Sequence, residues 1–509
     1  MKQRGLMNFF RKYHKWSGII LMLLLVLFAI SGIILNHRSQ LADFSVNRNY
    51  LPKYIRYKNW NNAAVKDMYS ISNDSIMVYG NIGVWQTDSA LNSFEDMNAG
   101  FPSGIDNRKI SKILKYKNDI YAGTLYGFFK YNHQSQQWEK QVLPLKEENV
   151  VDMYTKDDKM YVMLRSHLLI TDNGLDYEEI DLPAPAGYDN KIGLFKTLWV
   201  IHSGEIYGDI GILVVDLIGV IVVFLSITGF ILYLSKEKIR NKNNNRDIRR
   251  KHAKRYRWNL KWHNKIGWIT MIFLFINTAA GMFLRPPLLA AIFTSNVAKI
   301  PHSELDTPNA WYDILRRGMY LPEDDMHIIS TYDGFYYSPD DFKTIIKYKQ
   351  QPPASVMGVT VFEDLGNDKL LIGSFEGLFE WNIKSGYVYD VMKKEPYVAP
   401  VKKGPPVGDY MISGYGFDKN NNKIIFDYMQ GVVGTDVEAS FPEMNKEILK
   451  KSPMSLWGVA LEIHTGRIYQ PFMGIFYILV VPLVGLFTLF NLITGFVIWY
   501  KYYWRRKKR

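Results

Sequence analysis

One segment occurs twice in this chain. RKYHKWSGIILMLLLVLFAISGIILNH, from Arg11 to His37, is matched by LKWHNKIGWITMIFLFINTAAGMFLRP from Leu260, which sets His14 on His263, Gly18 on Gly267 and Gly32 on Gly281 at a constant offset of 249 residues. A second pair follows. IHSGEIY from Ile201 matches IHTGRIY from Ile463, and each leads into an apolar run, VVDLIGV from Val214 and VVPLVGL from Val480, that ends in ITGF at Gly229 and Gly495. A duplication constrains architecture before any local reading does. It implies two copies of one unit: helix, large loop, helix. It also singles out four of the ten histidines.

Trp16 to Leu35 is an uninterrupted apolar run of 20 residues, and as a helix it covers about 30 Å, the thickness of a bilayer core. A cleaved signal sequence would be shorter and would end in a small-x-small site; the second copy inside the chain at Trp262 also argues for a retained span. Three further spans are expected at 206–235, 264–286 and 468–500. The net charge of +13 sits beside them: residues 1–15, 236–265 and 501–509 together carry +22, leaving −9 for the rest. Charge confined to the flanks of apolar runs follows the positive-inside rule and argues against nucleic-acid binding. Both termini and the basic loop 236–263 are therefore expected in the cytoplasm, the loop as an anchor on anionic lipid with no role for His252. Residues 38–205 and 287–467 are expected in the periplasm, the chain lying in the inner membrane of a Gram-negative cell.

Both outer segments carry a module of about 40 residues: a polar turn, a strand, a glycine turn and a second strand. Copies begin at Asn73, Asn118, Asp157, Asn367 and Asn421, with a weaker one at Asp324. Alternating apolar, β-branched and aromatic residues between Asn/Asp and Gly are hairpin signals, and this period suggests propeller blades. The expected fold is thus membrane α+β: a four-helix transmembrane bundle from two tandem repeats, plus an all-β periplasmic region of six propeller-like blades, three per loop. One closed propeller leaves no exposed edges; two separate β domains are the alternative. His133, His167, His302 and His327 fall on these modules and read as surface or satisfied core residues.

Cysteine is absent, which excludes disulfides, iron–sulfur clusters, zinc–thiolate sites and covalent c-type haem. His14 and His263 mark the cytoplasmic ends of the first and third spans; His202 and His464 precede the second and fourth on the outer side. They form two same-depth pairs related by the repeat. Imidazole is the usual nitrogen ligand of haem iron, and nearby glycines admit a flat macrocycle or a second helix. One or two b-type haems are expected. Zinc is disfavoured because no third ligand lies at a matching depth. His37, at the outer end of the first span, has no repeat counterpart and is a reserve ligand. Asp216 is the one acid within the spans and needs a partner or a function, either a hydrogen bond to a neighbouring helix or proton handling near the outer histidines. Arg285 either meets a haem propionate or snorkels to water. No GxGxxG motif or cytoplasmic flavin or nicotinamide domain is visible, so electrons would come from quinol or a redox partner.

The HxxxG segments ending in a small residue and Gly, and the IHxG segments before spans ending in TGF, resemble the PepSY-associated transmembrane proteins. The matching residues are His14, Gly18, Ser31 and Gly32; His263, Gly267 and Gly281; His202, Gly204, Thr228 and Gly229; and His464, Gly466, Thr494 and Gly495. The resemblance implies haem bound in the helical unit and electron delivery to a periplasmic ferric chelate, as in the ferric-siderophore reductases of iron uptake, with an outer-membrane TonB-dependent receptor as a partner system. No clear PepSY domain is visible in the outer region; the blade-like modules stand in its place. The rival reading is a non-enzymatic sensor or assembly partner whose helices only anchor it.

Overall fold

In a computed structural model of the chain, residues 2–72, 74–240, 246–353, 355, 357–399, 408–417, 422–434 and 441–501 are described. The expected tail beyond Lys501 and the centre of the basic loop, 241–245, lie outside them. The chain divides into two compact units. One comprises Met1–Leu41, Asn190–Asp306 and Trp457–Arg509, the other Ala42–Asp189 and Thr307–Leu456.

The first unit is helical. Helix α1 (Lys2–Asn36) is followed in this unit by the short α2 (Leu194–Ser203), then α3 (Gly208–Arg240), α4 (Arg246–Ile269) and α5 (Met271–Phe283). A short helix, Leu456–His464, and a long one, Val480–Trp499, complete it. Among the described residues, three stretches are long and apolar enough to cross a membrane: Gly5–Asn36, Glu205–Lys236 and Arg467–Trp499. The segment expected as a straight helix at 264–286 is instead part of a bent pair of helices. The chain there bends by 65° between α4 and α5, at Thr270, whose hydroxyl donates back to the Ile266 carbonyl at 2.9 Å. Such back-bonding competes with the helical ladder and bends helices. Helix α1 packs on α3 and on Val480–Trp499; α3 packs on α4, and Val480–Trp499 packs on α4 and α5.

The two IHxG motifs end the two short helices in the same way. Gly204 and Gly466 adopt left-handed φ values of +89° and +75°, and the Gly204 N–H closes the last turn of α2 on the Val200 carbonyl at 3.0 Å. Glycine adopts this conformation without the Cβ clash that other residues meet. Each histidine thereby sits in the last turn of a short helix, just before the chain reverses into a span.

Among the described residues the second unit holds six antiparallel sheets of three or more strands, three of four strands from its first segment and then sheets of four, five and three strands from its second, besides a two-stranded pairing of Ser45–Val46 with Met454–Ser455. Each recurring sequence module supplies the second and third strands of one sheet, as in Ser75–Gly80 with Gly83–Asp88 and Lys369–Ser374 with Gly377–Asn382. These strands are apolar on both faces because each sheet is covered on both sides. Separate cores join the first sheet to the second, the second to the third and onward to the sixth. A further core, with Trp60, Val78, Trp85, Ile424 and Phe426, joins the sixth to the first. A cavity of 260 Å³ is lined by first-strand residues of these six larger sheets, among them Asp67, Lys112, Asp152, Arg317, Glu363 and Tyr415.

Candidate functional site

The four repeat-marked histidines come together as two pairs within the helical unit. The rings of His14 and His263 lie 6.4 Å apart between centroids, at 78° to each other. Those of His202 and His464 lie 5.8 Å apart at 42°, with their Nε2 atoms separated by 3.5 Å.

One clasp holds all four rings. The Nδ1 of His14 faces the Asn491 carbonyl at 3.1 Å, that of His202 the Asn277 carbonyl at 3.0 Å and that of His464 the Phe28 carbonyl at 3.0 Å; His263 is bound by the Leu225 carbonyl. Four residues after each of these carbonyls stands a glycine, Gly495, Gly281, Gly32 and Gly229 in turn, and each histidine ring lies against its glycine. A Cβ on Gly495, Gly32 or Gly229 would stand 2.9, 3.2 or 3.5 Å from the ring's Cε1, and one on Gly281 would overlap the His202 ring. In three clasps the residue before the glycine adds a hydroxyl near Nδ1: Thr494 at 3.3 Å, Ser31 at 3.1 Å and Thr228 at 3.0 Å. Each hydroxyl donates its own hydrogen to a carbonyl four residues back, so its oxygen can only accept from the ring. The fourth clasp has Ala280 there.

These contacts assign the tautomer. A backbone carbonyl only accepts, so each Nδ1 carries the proton and each Nε2 is left as a lone pair. Across the 3.5 Å between His202 and His464 two acceptors therefore face each other, which calls for an electrophile. The donor set fits haem iron: paired neutral imidazoles, Nδ1 oriented by a carbonyl as in metal-ligating histidines, and ring faces lodged on glycine. Among the described residues no cluster of three or more His, Asp or Glu forms another metal-ion site.

The other expected site residues have contacts of their own. His37 Nε2 meets Asp216 Oδ2 at 2.6 Å, while Asn36 Nδ2 donates to Asp216 Oδ1 at 3.0 Å and to the Ser203 carbonyl at 3.1 Å. The structure thus gives Asp216 its partner on a neighbouring helix and takes His37 up in that contact. Arg285, just past α5, lies within electrostatic reach of Arg467, Tyr477 and Glu462. Arg467 and Glu462 escaped the sequence reading, although Arg467 stands where the first repeat has Glu205. In the β unit, His167 Nδ1 is 2.8 Å from Glu147, and the buried His327 bridges the Tyr154 hydroxyl and Asp341, in keeping with satisfied structural residues.

The chain aligns with solved structures of very different sequence. The extracellular domain of BT4673 from B. thetaiotaomicron is 11% identical with a TM-score of 0.37, over 77% of this chain and 35% of that one. The computationally designed Ika8 protein is 9% identical at 0.31, over 73% of this chain and 96% of that one. The N-terminal domain of Nup159 is 9% identical at 0.30, over 72% and 74%. The chain thus spans about a third of the BT4673 chain. No curated protein matches the sequence. The PepSY-associated TM region, by contrast, matches residues 11–501, a stretch that contains all four histidines and the four glycines that clasp them. The chain is a membrane protein belonging to the PepSY-associated TM family.

Proposed function

We propose that the protein is a b-type-haem oxidoreductase of the inner membrane that passes electrons across the bilayer to reduce a periplasmic ferric chelate, siderophore-bound iron or haem, in iron uptake. One observation carries the reading: an imidazole pair near each end of one helical unit, every Nδ1 bound and every Nε2 left as an acceptor. His14 and Gly32, the glycine beneath His464, are 18 residues apart on α1, about 27 Å along a helix and close to the thickness of the hydrocarbon core. His14 with His263, and His202 with His464, would hold iron through Nε2, and their carbonyl partners orient the rings and raise their basicity. When bound, haem b supplies one-electron transfer between its ferric and ferrous states.

In this reading the bent α4–α5 pair makes the third of four crossings, with both termini and the basic loop on the cytoplasmic face against anionic lipid. The six sheets act as one six-bladed periplasmic propeller; their shared cores, including that between the sixth and the first, support this. Quinol or a redox partner supplies electrons, and a TonB-dependent receptor system delivers the chelate.

The test is reduction in proteoliposomes, with quinol as donor, ferric citrate outside and a ferrous-specific dye as readout. Quinol-dependent ferrous iron that disappears in His14→Ala and His202→Ala supports the reading. A haem-loaded protein that reduces no faster than empty liposomes rejects the reductase.

A further inference from the structure

Near the His202–His464 pair the two halves of the repeat differ in charge. The offset of 249 residues sets Arg285 on Asn36, and the two IHxG motifs set Arg467 on Glu205. In the first half the corner is closed: Asp216 is met by both His37 and Asn36. Its repeat counterpart in the second half is Pro482.

The second half is open. Arg467 Nη2 meets Glu462 Oε1 at 2.5 Å, and Glu462 is 6% exposed. Arg285 lies within electrostatic reach of the same two residues. The Arg285 side chain has no hydrogen bond or ion pair among the described residues. Arg467 Nε and the Tyr469 hydroxyl are buried and lack an acceptor. Buried donors without acceptors are costly and rare in folded proteins, and a half-buried cation in excess of its counter-ions calls for an anion. The planar fork of a guanidinium matches a carboxylate in two parallel bonds.

We propose that Arg285 and Arg467 form a binding site for a carboxylate beside the His202–His464 pair. Two sources have this chemistry: a propionate of a haem held by His202 and His464, or a carboxylate of an arriving ferric chelate. The first rests on the haem reading; the second does not.

The test uses full-length protein in detergent, purified haem-free, titrated with haemin, haemin dimethyl ester, ferric citrate and the carboxylate-free ferric acetohydroxamate. Arg285→Gln and Arg467→Gln should weaken a carboxylate-bearing probe roughly tenfold or more, the effect of one lost charge-assisted hydrogen bond. A fall for haemin to the level of its ester assigns the propionate; a fall for ferric citrate with haemin unchanged assigns the chelate. The wild-type protein gives a reading that needs no variant: it should prefer haemin to its ester, or ferric citrate to ferric acetohydroxamate. Preference for neither, or glutamine variants that bind both acidic probes as wild type does, overturns the site. Arginine-dependent ferric citrate binding in a protein that takes up no haemin would leave the site standing and reject the haem.

Discussion

His202 and His464 present their Nε2 atoms to each other across 3.5 Å, while the Nδ1 of each is held by a carbonyl of a different helix, Asn277 in α5 and Phe28 in α1. Each ring is thus fixed in the tautomer that leaves its outward nitrogen basic. The two basic nitrogens are brought within reach of a single electrophile.

The glycines under the rings should be graded in their tolerance of a methyl group. Gly281→Ala collides with the His202 ring, and Gly495→Ala brings a Cβ to 2.9 Å from His14, whereas Gly229→Ala leaves an ordinary 3.5 Å contact to His263. Haem content, measured as pyridine haemochrome, should fall most in Gly281→Ala, next in Gly495→Ala and least in Gly229→Ala. Equal content in all three would remove the clasp from the account.

The hydroxyl braces should tune the iron. Thr494, Ser31 and Thr228 each give Nδ1 a second acceptor, which Ala280 does not. Stronger acceptance from Nδ1 makes Nε2 a better donor to ferric iron, and second-shell partners of this kind are worth about 10–100-fold in metal affinity. Ala280→Ser should therefore lower the reduction potential of the His202–His464 site and Ser31→Ala should raise it, in a spectroelectrochemical titration. Shifts of the opposite sign would contradict the assigned tautomers.

Asp216 should matter to stability and not to cofactor content. Its carboxylate, 14% exposed, accepts from Asn36 and pairs with His37. Asp216→Leu removes the partner of His37 and one of the two acceptors of Asn36, which keeps the Ser203 carbonyl, a loss of about 1 kcal/mol. The thermal midpoint should drop while the haemochrome count stays at the wild-type value. Loss of haem in His37→Ala would instead return His37 to the ligand set.

How much of this could be read from residues alone differs from feature to feature. The two repeat alignments, the first at an offset of 249 residues and the second between the IHxG motifs, brought out the four histidines and their pairing because duplicated segments fold alike. IHxG was legible as a motif, and its reason, a left-handed glycine that stops a short helix after the histidine, is local. Which glycine meets which histidine was not legible. His14 rests on Gly495 and His464 on Gly32, a crossing between halves set by how helices pack. The bend at Thr270 escaped as well, since the apolar run continues through it. The charge difference between Arg467 and Glu205 lies in the aligned motifs, but it has no meaning until the fold brings Arg285 and Glu462 within electrostatic reach.

In the β unit, two histidines should shape stability with pH in opposite ways. The bond to Glu147 holds the pKa of His167 above its usual value of 6.5, against the burial that lowers it. The folded state therefore binds that proton more tightly, a contribution complete below about pH 6.5 and lost as pH rises through the folded pKa. Burial pushes His327 down, opposed by its bond to Asp341; its contribution is present above about pH 6.5 and lost as pH falls through the folded pKa. In a pH series of unfolding midpoints, His167→Gln should flatten the alkaline side of the wild-type curve and His327→Gln the acid side. Unchanged curves would show that neither proton is linked to folding.

The central claim is that the two imidazole pairs hold b-type haem, and the visible spectrum of protein purified from haem-replete cells tests it most directly. A Soret band that shifts and sharpens on dithionite reduction is predicted, with one component lost in both His202→Ala and His464→Ala and any second component lost in both His14→Ala and His263→Ala. A preparation without a Soret band, or one whose spectrum survives all four substitutions, would contradict the account.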